Sequence, residues 1–341
     1  MGSLPHEFAL IRALGRVATK ADASLVLTVG DDCAAWKPAH GKLQIATTDT
    51  LVEGVHFLRS DAEPRLIGRK AMGANLSDIA AMGGTPRYAL VALSIPMKGW
   101  SGRDVLGIYE GLLAAGSPQG VRIAGGNITR SSGKLEITIT LTGEVKPGAM
   151  LKRSGARVGD SIYVTGVPGR AAMWLDLKRR KAGSRAVREL FRLAHYQPEP
   201  PLEFARRLSG EAGGKKAATA AVDISDGLLA DLGHLIELSG VPGAIMEADK
   251  LPSSVAHLLY RQAAGPSGTS RLLRIALTGG EDYELLFTAP PSNDSRVRAL
   301  AAETGVRVSR IGRITHSSGI RVVDGKGRKL PVGGHGGWRH F

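Results

Sequence analysis

One cysteine, Cys33, is all the thiol this sequence contains. That excludes an intramolecular disulfide and a cysteine-based zinc site, and it agrees with a reducing, cytoplasmic setting. Aromatic residues are also sparse, at 5% of the chain. No stretch approaches the roughly 20 consecutive apolar residues that span a bilayer. The opening MGSLPHEFALIRALGR carries an acid at Glu7 and no small-residue cleavage site after an apolar core, so neither a signal peptide nor a lipid anchor is expected. Absent too are a Gly-x-Ser-x-Gly elbow, HExxH, CxxC, a Walker loop and a complete dinucleotide fingerprint. A triad hydrolase, a zinc enzyme and a Rossmann dehydrogenase are left without support.

Acids are outnumbered, 31 against 45 Lys and Arg, for a net charge of +14. The densest basic run, Lys178–Arg192, reads as an exposed helical face with Leu190, Phe191 and Leu193 supplying apolar contact. Nothing resembling an RNA-binding aromatic signature, a finger or a basic zipper accompanies it. No nucleic-acid partner is expected, and the charge is left without a role.

The chain has 341 residues, 43% of them hydrophobic, which suits two soluble domains at roughly 100–200 residues each. A helix is predicted over residues 5–19 from apolar positions at Phe8, Ile11, Leu14 and Val17. Strands follow at Leu25–Val29 and Leu43–Ala46, a helix at Pro64–Met82, a strand at Arg87–Ile95 and a helix at Ser101–Ala115. Val121–Ala124 and the strictly alternating Leu135–Val145 complete the first half as strands. Pro147-Gly148 marks the boundary between domains at residues 1–147 and 148–341. Beyond it, strands are predicted at Asp160–Thr165, Val222–Ile224, Ile275–Thr278, Tyr283–Thr288, Val306–Ile314 and Ile320–Val323. Helices are predicted at Arg170–Arg180, Ser184–Ala194 and Ser225–Ser239. Alternating strands and helices in both halves indicate two α/β or α+β domains.

Against this basic background, Thr47–Phe57 (TTDTLVEGVHF) stands out. It holds Asp49, Glu53 and His56, and no Lys or Arg occurs between Lys42 and Arg59. Carboxylate and hydroxyl oxygens are the hard ligands that Mg²⁺ prefers. Three further acidic stretches fit the same idea: GDDC at Gly30–Cys33, ANLSD at Ala74–Asp78 and VDISDG at Val222–Gly227. The expectation is one metal–nucleotide site built from all four.

Each motif also has a structural reading. Asp31 and Asp32 suit a strand-end turn, with Asp32 the favoured ligand of the two. Asp78 lies in an apolar helix, where an uncompensated carboxylate is costly and a cation resolves the cost; a helix break at Asn75 or Ser77 is the alternative. Gly125-Gly126-Asn127 after a strand lets backbone N–H groups approach a phosphate. Asp223 and Asp226 bracket a strand-to-helix turn in which Ser225 caps the helix or contacts phosphate. Glu281, in the glycine turn TGGEDYE, is placed to accept hydrogen bonds, and Trp338 offers a stacking face or a docked terminus.

In order along the chain, GDDCA, TTDTLVEGVHF, ANLSDIAAMG, GGNITRS, LKRSGARVGD, DISDGLLADLGH, TGGEDYELLF and GWRHF resemble thiamine-monophosphate kinases. That family shares its fold with aminoimidazole ribonucleotide synthetase and selenophosphate synthetase. The resemblance implies a homodimer whose N-terminal ATP- and Mg²⁺-binding sheets form a barrel across the dimer, plus a C-terminal α/β domain. It implies ATP-dependent phosphorylation of thiamine monophosphate to thiamine diphosphate, the last step in making that cofactor. Implied metal positions are Asp32, Thr47, Thr48, Asp49, Asp78, Asp223 and Asp226. Implied ATP contacts are Gly126, Asn127, Arg153 and Ser225, and implied substrate contacts are His56, Glu281 and Trp338. The family's Gly-Gly-Asp is Gly125-Gly126-Asn127 here, so a weaker hold on one Mg²⁺, with Asn127 as an amide ligand, is expected. A synthetase with another substrate, a nucleotide sensor and a nucleic-acid-associated protein are the competing readings.

Overall fold

The computed structural model describes residues 25–27 and 35–331, with side chains from Lys37 onward. The predicted N-terminal helix, the Gly30–Cys33 motif with Asp32, and Trp338 lie outside the described residues. Two short strands come first, β1 (Leu25–Leu27) and β2 (Ala35–Trp36), paired antiparallel.

The chain divides into two compact units. One runs to Pro147 without Ala80–Gly83; the other takes those four residues and everything from Gly148. In the first, the elements are β3 (Leu43–Val52), α1 (Pro64–Ala81), β4 (Thr85–Pro96), α2 (Gly102–Gly116), β5 (Arg122–Ser131) and β6 (Glu136–Val145). The sheet order is β3-β6-β4-β5, antiparallel except for the parallel β4–β5 pair. Strict alternation in β6 buries Ile137, Ile139 and Leu141 on one face. Pro64 opens α1 with its fixed φ and missing donor. A reciprocal Ser101–Asp104 capping box opens α2. Helix α1 lays Ile67, Ala71, Met72, Leu76 and Ile79 into the core. This four-stranded sheet is open; no sheet among the described residues closes into a barrel.

The second unit contains β7 (Ser161–Thr165), α3 (Arg170–Arg180), α4 (Arg185–Tyr196), α5 (Leu202–Ser209), β8 (Ala220–Asp223), α6 (Leu228–Ser239) and β9 (Gly243–Glu247). It continues with α7 (Val255–Ala264), α8 (Gly268–Thr278), β10 (Leu285–Ala289), α9 (Asp294–Thr304), β11 (Val308–Thr315) and β12 (Gly319–Val323). Its six strands are ordered β12-β9-β11-β7-β10-β8, and only β12–β9 is parallel. Helix α6 packs Leu228, Leu232 and Leu235 against Ile162, Val164, Val222 and Leu286 of the sheet. Helices α3, α4, α7 and α8 enclose a smaller core around Trp174, Phe191, Tyr260 and Ile275.

Several expectations need correction. Ile275–Thr278 is the last turn of α8, not a strand, because a four-residue apolar run fits either period. Leu190 is exposed while Phe191 is buried, so the basic run presents apolar surface outward as well as inward. The strand at Leu43 continues through Val52, which puts the whole TTDTLV segment inside β3. Among the described residues, no helix is long and apolar enough to cross a membrane.

Candidate active site

Because β3 is extended, successive side chains alternate faces. Thr47 and Asp49 share the half-buried face, while Thr48 and Thr50 are exposed on the other. There they meet the hydroxyls of Thr140 and Thr138 at 3.3 and 2.8 Å. The Thr47 hydroxyl donates to Asp78 Oδ2 on α1. Asp49 is pushed up to about 6, first by burial and then by the charge and hydrogen bond of Asp78. Thr47, Asp49 and Asp78 thus form one oxygen-rich cluster, from which the Thr48 side chain is directed away.

The donor set suits a hard cation. A carboxyl whose proton affinity a second carboxylate raises is one that a divalent ion relieves. One turn before Asp78, Asn75 is buried in the middle of α1; its amide donates to Ala71 O at 3.0 Å. Its Oδ1 has no hydrogen-bond partner among the described residues, a further oxygen suited to a cation or a donor. Asn75 neither caps nor breaks the helix. Among the described residues no group of three or more His, Cys, Asp or Glu is gathered to hold a metal. Mg²⁺ is commonly held by one or two carboxylates completed by water and phosphate oxygens, and the cluster fits that mode.

Glu53 does not belong to this acidic set. Its Oε2 accepts from Trp100 Nε1 at 3.0 Å and from the Leu135 N–H at 3.3 Å. The carboxylate fastens the turn after β3. His56, half-buried in that turn, accepts the Val52 N–H on Nδ1 at 3.0 Å.

Gly125-Gly126-Asn127 lies within β5, opposite Leu90, Val91 and Ala92 of β4, not in a loop after a strand. A Cβ on Gly126 would overlap the Val91 carbonyl oxygen. Close strand approach therefore requires this glycine whether or not phosphate does. Asn127 is exposed on the strand.

In the second unit, two motifs distant in sequence form a single structure. The Glu281 N–H donates to Ser225 O at 2.8 Å, Tyr283 N–H to Ile224 O at 2.9 Å and Ile224 N–H to Glu284 O at 2.8 Å. Glu281 and Tyr283 hold left-handed φ values of 65° and 54°, a conformation non-glycine residues keep only when their surroundings impose it. Asp223, at the end of β8, is 3% exposed. Helix α6 starts at Leu228 behind Gly227, so Ser225 does not cap it. Asp231 serves that turn instead: its Oδ2 accepts from Asp226 N at 3.2 Å and Gly227 N at 3.0 Å. Burial pushes Asp231 up to about 7, against the pull of those N–H groups.

The rest of the TGGEDYE turn is occupied structurally. Asp282 is pushed up to about 7 by burial, although it accepts the Gly169 and Ala171 N–H groups at the start of α3. Glu284 is also raised by burial and accepts the Thr165 hydroxyl at 2.6 Å. Glu281 approaches His195 Nδ1 at 3.4 Å, and that histidine is 2% exposed. Arg153 is exposed, and its carbonyl accepts the Ser239 hydroxyl at 3.1 Å.

Asp231 and His195 are the residues that sequence reasoning missed, and Asn75 was read only as a helix cap or break. Only Asp231 left a signal there, as an acid in the first turn of a helix.

Two family models match: AIR synthase related protein, N-terminal domain, over residues 30–145, and its C-terminal domain over residues 157–325. Thiamine-monophosphate kinase from Salmonella typhimurium is 37% identical over 291 residues, covering 84% of this chain and 83% of that protein. The chain belongs to the thiamine-monophosphate kinase family. The crystal structure of the Stenotrophomonas maltophilia thiamine-monophosphate kinase superposes with a TM-score of 0.81 at 36% identity, covering 96% of this chain and 98% of that one. The complex of AaThiL with AMPPCP and TMP superposes at 0.75 and 32% identity, covering 98% and 97%. Those of the family's motifs that lie in the described residues fall on two domains of mixed α/β structure.

Proposed function

We propose that this protein transfers the γ-phosphoryl group of ATP to thiamine monophosphate, giving thiamine diphosphate and ADP. The observation that carries this reading is the likeness, over nearly the whole of both chains, to AaThiL complexed with AMPPCP and TMP. An oxygen of the acceptor phosphate forms the new bond to the γ-phosphorus as the bond to the ADP oxygen breaks. The acceptor is already ionised near neutral pH, so no protein nucleophile and no general base are assigned.

Metal-binding roles fall to Asp32, Thr47, Thr48, Asp49, Asp78, Asn127, Asp223 and Asp226. Thr48 takes part through its carbonyl, since its hydroxyl is on the opposite face of β3 from Asp49. Bound Mg²⁺ ions supply charge screening between the phosphates. ATP contact falls to Gly126, Asn127, Arg153 and Ser225, with Arg153 adding a fixed positive charge. His56, Glu281 and Trp338 contact the thiamine phosphate. The strain at Glu281 supports its part in this, because such backbone persists where function requires it.

The same reading includes a cytoplasmic homodimer, with the open sheet β3-β6-β4-β5 completing a barrel across two copies. No membrane or nucleic-acid partner belongs to it.

ADP release by purified protein, with and without thiamine monophosphate, tests the activity. Substrate-dependent ADP with thiamine diphosphate identified by mass is the expected result. Folded, ATP-binding protein that forms no product at saturating Mg²⁺ points to a different substrate or to a sensor.

A further inference from the structure

Among the described residues of the first unit, Lys70 is the largest charged side chain to be wholly buried, with an exposure of 0%. It lies on α1, a helix that also buries Ile67, Ala71 and Met72. An ammonium persists at such a position only when a specific interaction offsets its lost hydration. Here Nζ donates to the carbonyl oxygen of His56 at 2.7 Å, a charge-assisted hydrogen bond.

That carbonyl belongs to a tightly determined turn. Val55 N and His56 N both donate to Val52 O, at 3.1 and 2.9 Å, and Gly54 N donates to Phe57 O at 2.7 Å. Gly54 holds φ at 90°, which a larger residue resists. Phe57 is buried edge-on to Trp100, with ring centroids 6.4 Å apart. Within the turn, the His56 ring folds back so that Nδ1 accepts the Val52 N–H at 3.0 Å. A neutral imidazole whose Nδ1 accepts must carry its proton on Nε2.

We propose that Lys70 is a positioning residue. Through the His56 carbonyl it fixes the turn that selects the Nε2–H tautomer, so that His56 meets its ligand as a hydrogen-bond donor to an acceptor oxygen. A phosphate ester oxygen has that chemistry, and its identity as the ligand rests on the reading of His56 as a thiamine-phosphate contact.

The test compares wild type with Lys70→Met, using long-range ¹H–¹⁵N spectra of the histidine rings and steady-state kinetics of ADP release. In the wild type, His56 is expected to show the Nε2–H tautomer. In Lys70→Met that signature is expected to collapse toward averaged tautomers. The KM for thiamine monophosphate rises about tenfold while the KM for ATP changes less than twofold, a gap of about 1.4 kcal/mol at most for the first. Folded Lys70→Met with an unmoved His56 spectrum overturns the proposal. A moved spectrum with an unchanged KM upholds the positioning and overturns only the substrate role of His56. Where Lys70→Met does not fold, Lys70→Gln, a neutral donor of shorter reach, is read by the same spectrum: a shifted tautomer balance supports the proposal and an unmoved one overturns it.

Discussion

The backbone N–H of Glu281 donates to the carbonyl oxygen of Ser225 across 2.8 Å. This bond makes the DISDG and TGGEDYE motifs two sides of one turn, so that a change on either side is felt on the other. Gly280 sits at the closest point, where a Cβ would overlap the Ser225 carbonyl oxygen.

Gly280→Ala is accordingly expected to separate the two motifs. The unfolding free energy in urea should fall by about 2 kcal/mol or more, the range for strained backbone and overpacking. ADP release should fall with it. A variant with wild-type stability and turnover would show that the two turns have room to move.

Asp231 holds the other end of the same structure. Asp231→Ala leaves the buried N–H of Gly227 and the part-buried N–H of Asp226 without their acceptor, at a cost of about 1–3 kcal/mol for the first and less for the second. Asp231→Asn keeps an acceptor oxygen and is expected to lose less than half as much. Hydrogen exchange at the Asp226 and Gly227 amides distinguishes the cases: protection should vanish in the alanine variant and persist in the asparagine one.

Much of the fold was legible because it is local. The alternation of Leu135–Val145 became β6, and the apolar spacing after Pro64 became α1. What stayed hidden is what depends on a remote partner. Glu53 was counted with the acid cluster, but Trp100 and Leu135 already occupy it. Gly126 suggested close approach of a phosphate, and the sequence could not show that Val91 across the sheet requires a glycine there as well. Thr47 and Thr48 looked equivalent until β3 proved long enough to put them on opposite faces. Lys70 carried no signal, since nothing in its own helix reveals that His56 is its acceptor.

The pH dependence of stability should carry the mark of Asp282. Burial lifts this carboxyl from an ordinary 3.8 to about 7. Between those values the folded chain retains a proton that the unfolded chain has released. By linkage the stabilisation is present at the acid end and is lost as pH rises through about 7, with a slope of up to about 1.4 kcal/mol per pH unit. Asp231 and Glu284, also raised, slope the same way. Urea unfolding from pH 4.5 to 8 should therefore show a falling stability that is flatter in Asp282→Asn. An unchanged slope in that variant would assign the dependence to the other raised carboxyls, Asp49, Asp231 and Glu284.

Asn127 offers the sharpest test of the metal assignment. It lies exposed on β5 opposite Ala92, where an added carboxylate pays little desolvation. Asn127→Asp changes one atom and one charge, leaving strand geometry alone. If this residue faces a Mg²⁺, the carboxylate binds it more tightly than the amide, because a hard cation favours a full negative charge. The Mg²⁺ concentration for half-maximal ADP release should fall severalfold, on the order of 1 kcal/mol of ion affinity. The melting temperature without Mg²⁺ should stay within about a degree of wild type, since surface changes seldom exceed 0.5 kcal/mol. A Mg²⁺ titration that overlays the wild-type curve, at equal turnover, would remove Asn127 from the metal site and leave it an ordinary strand residue.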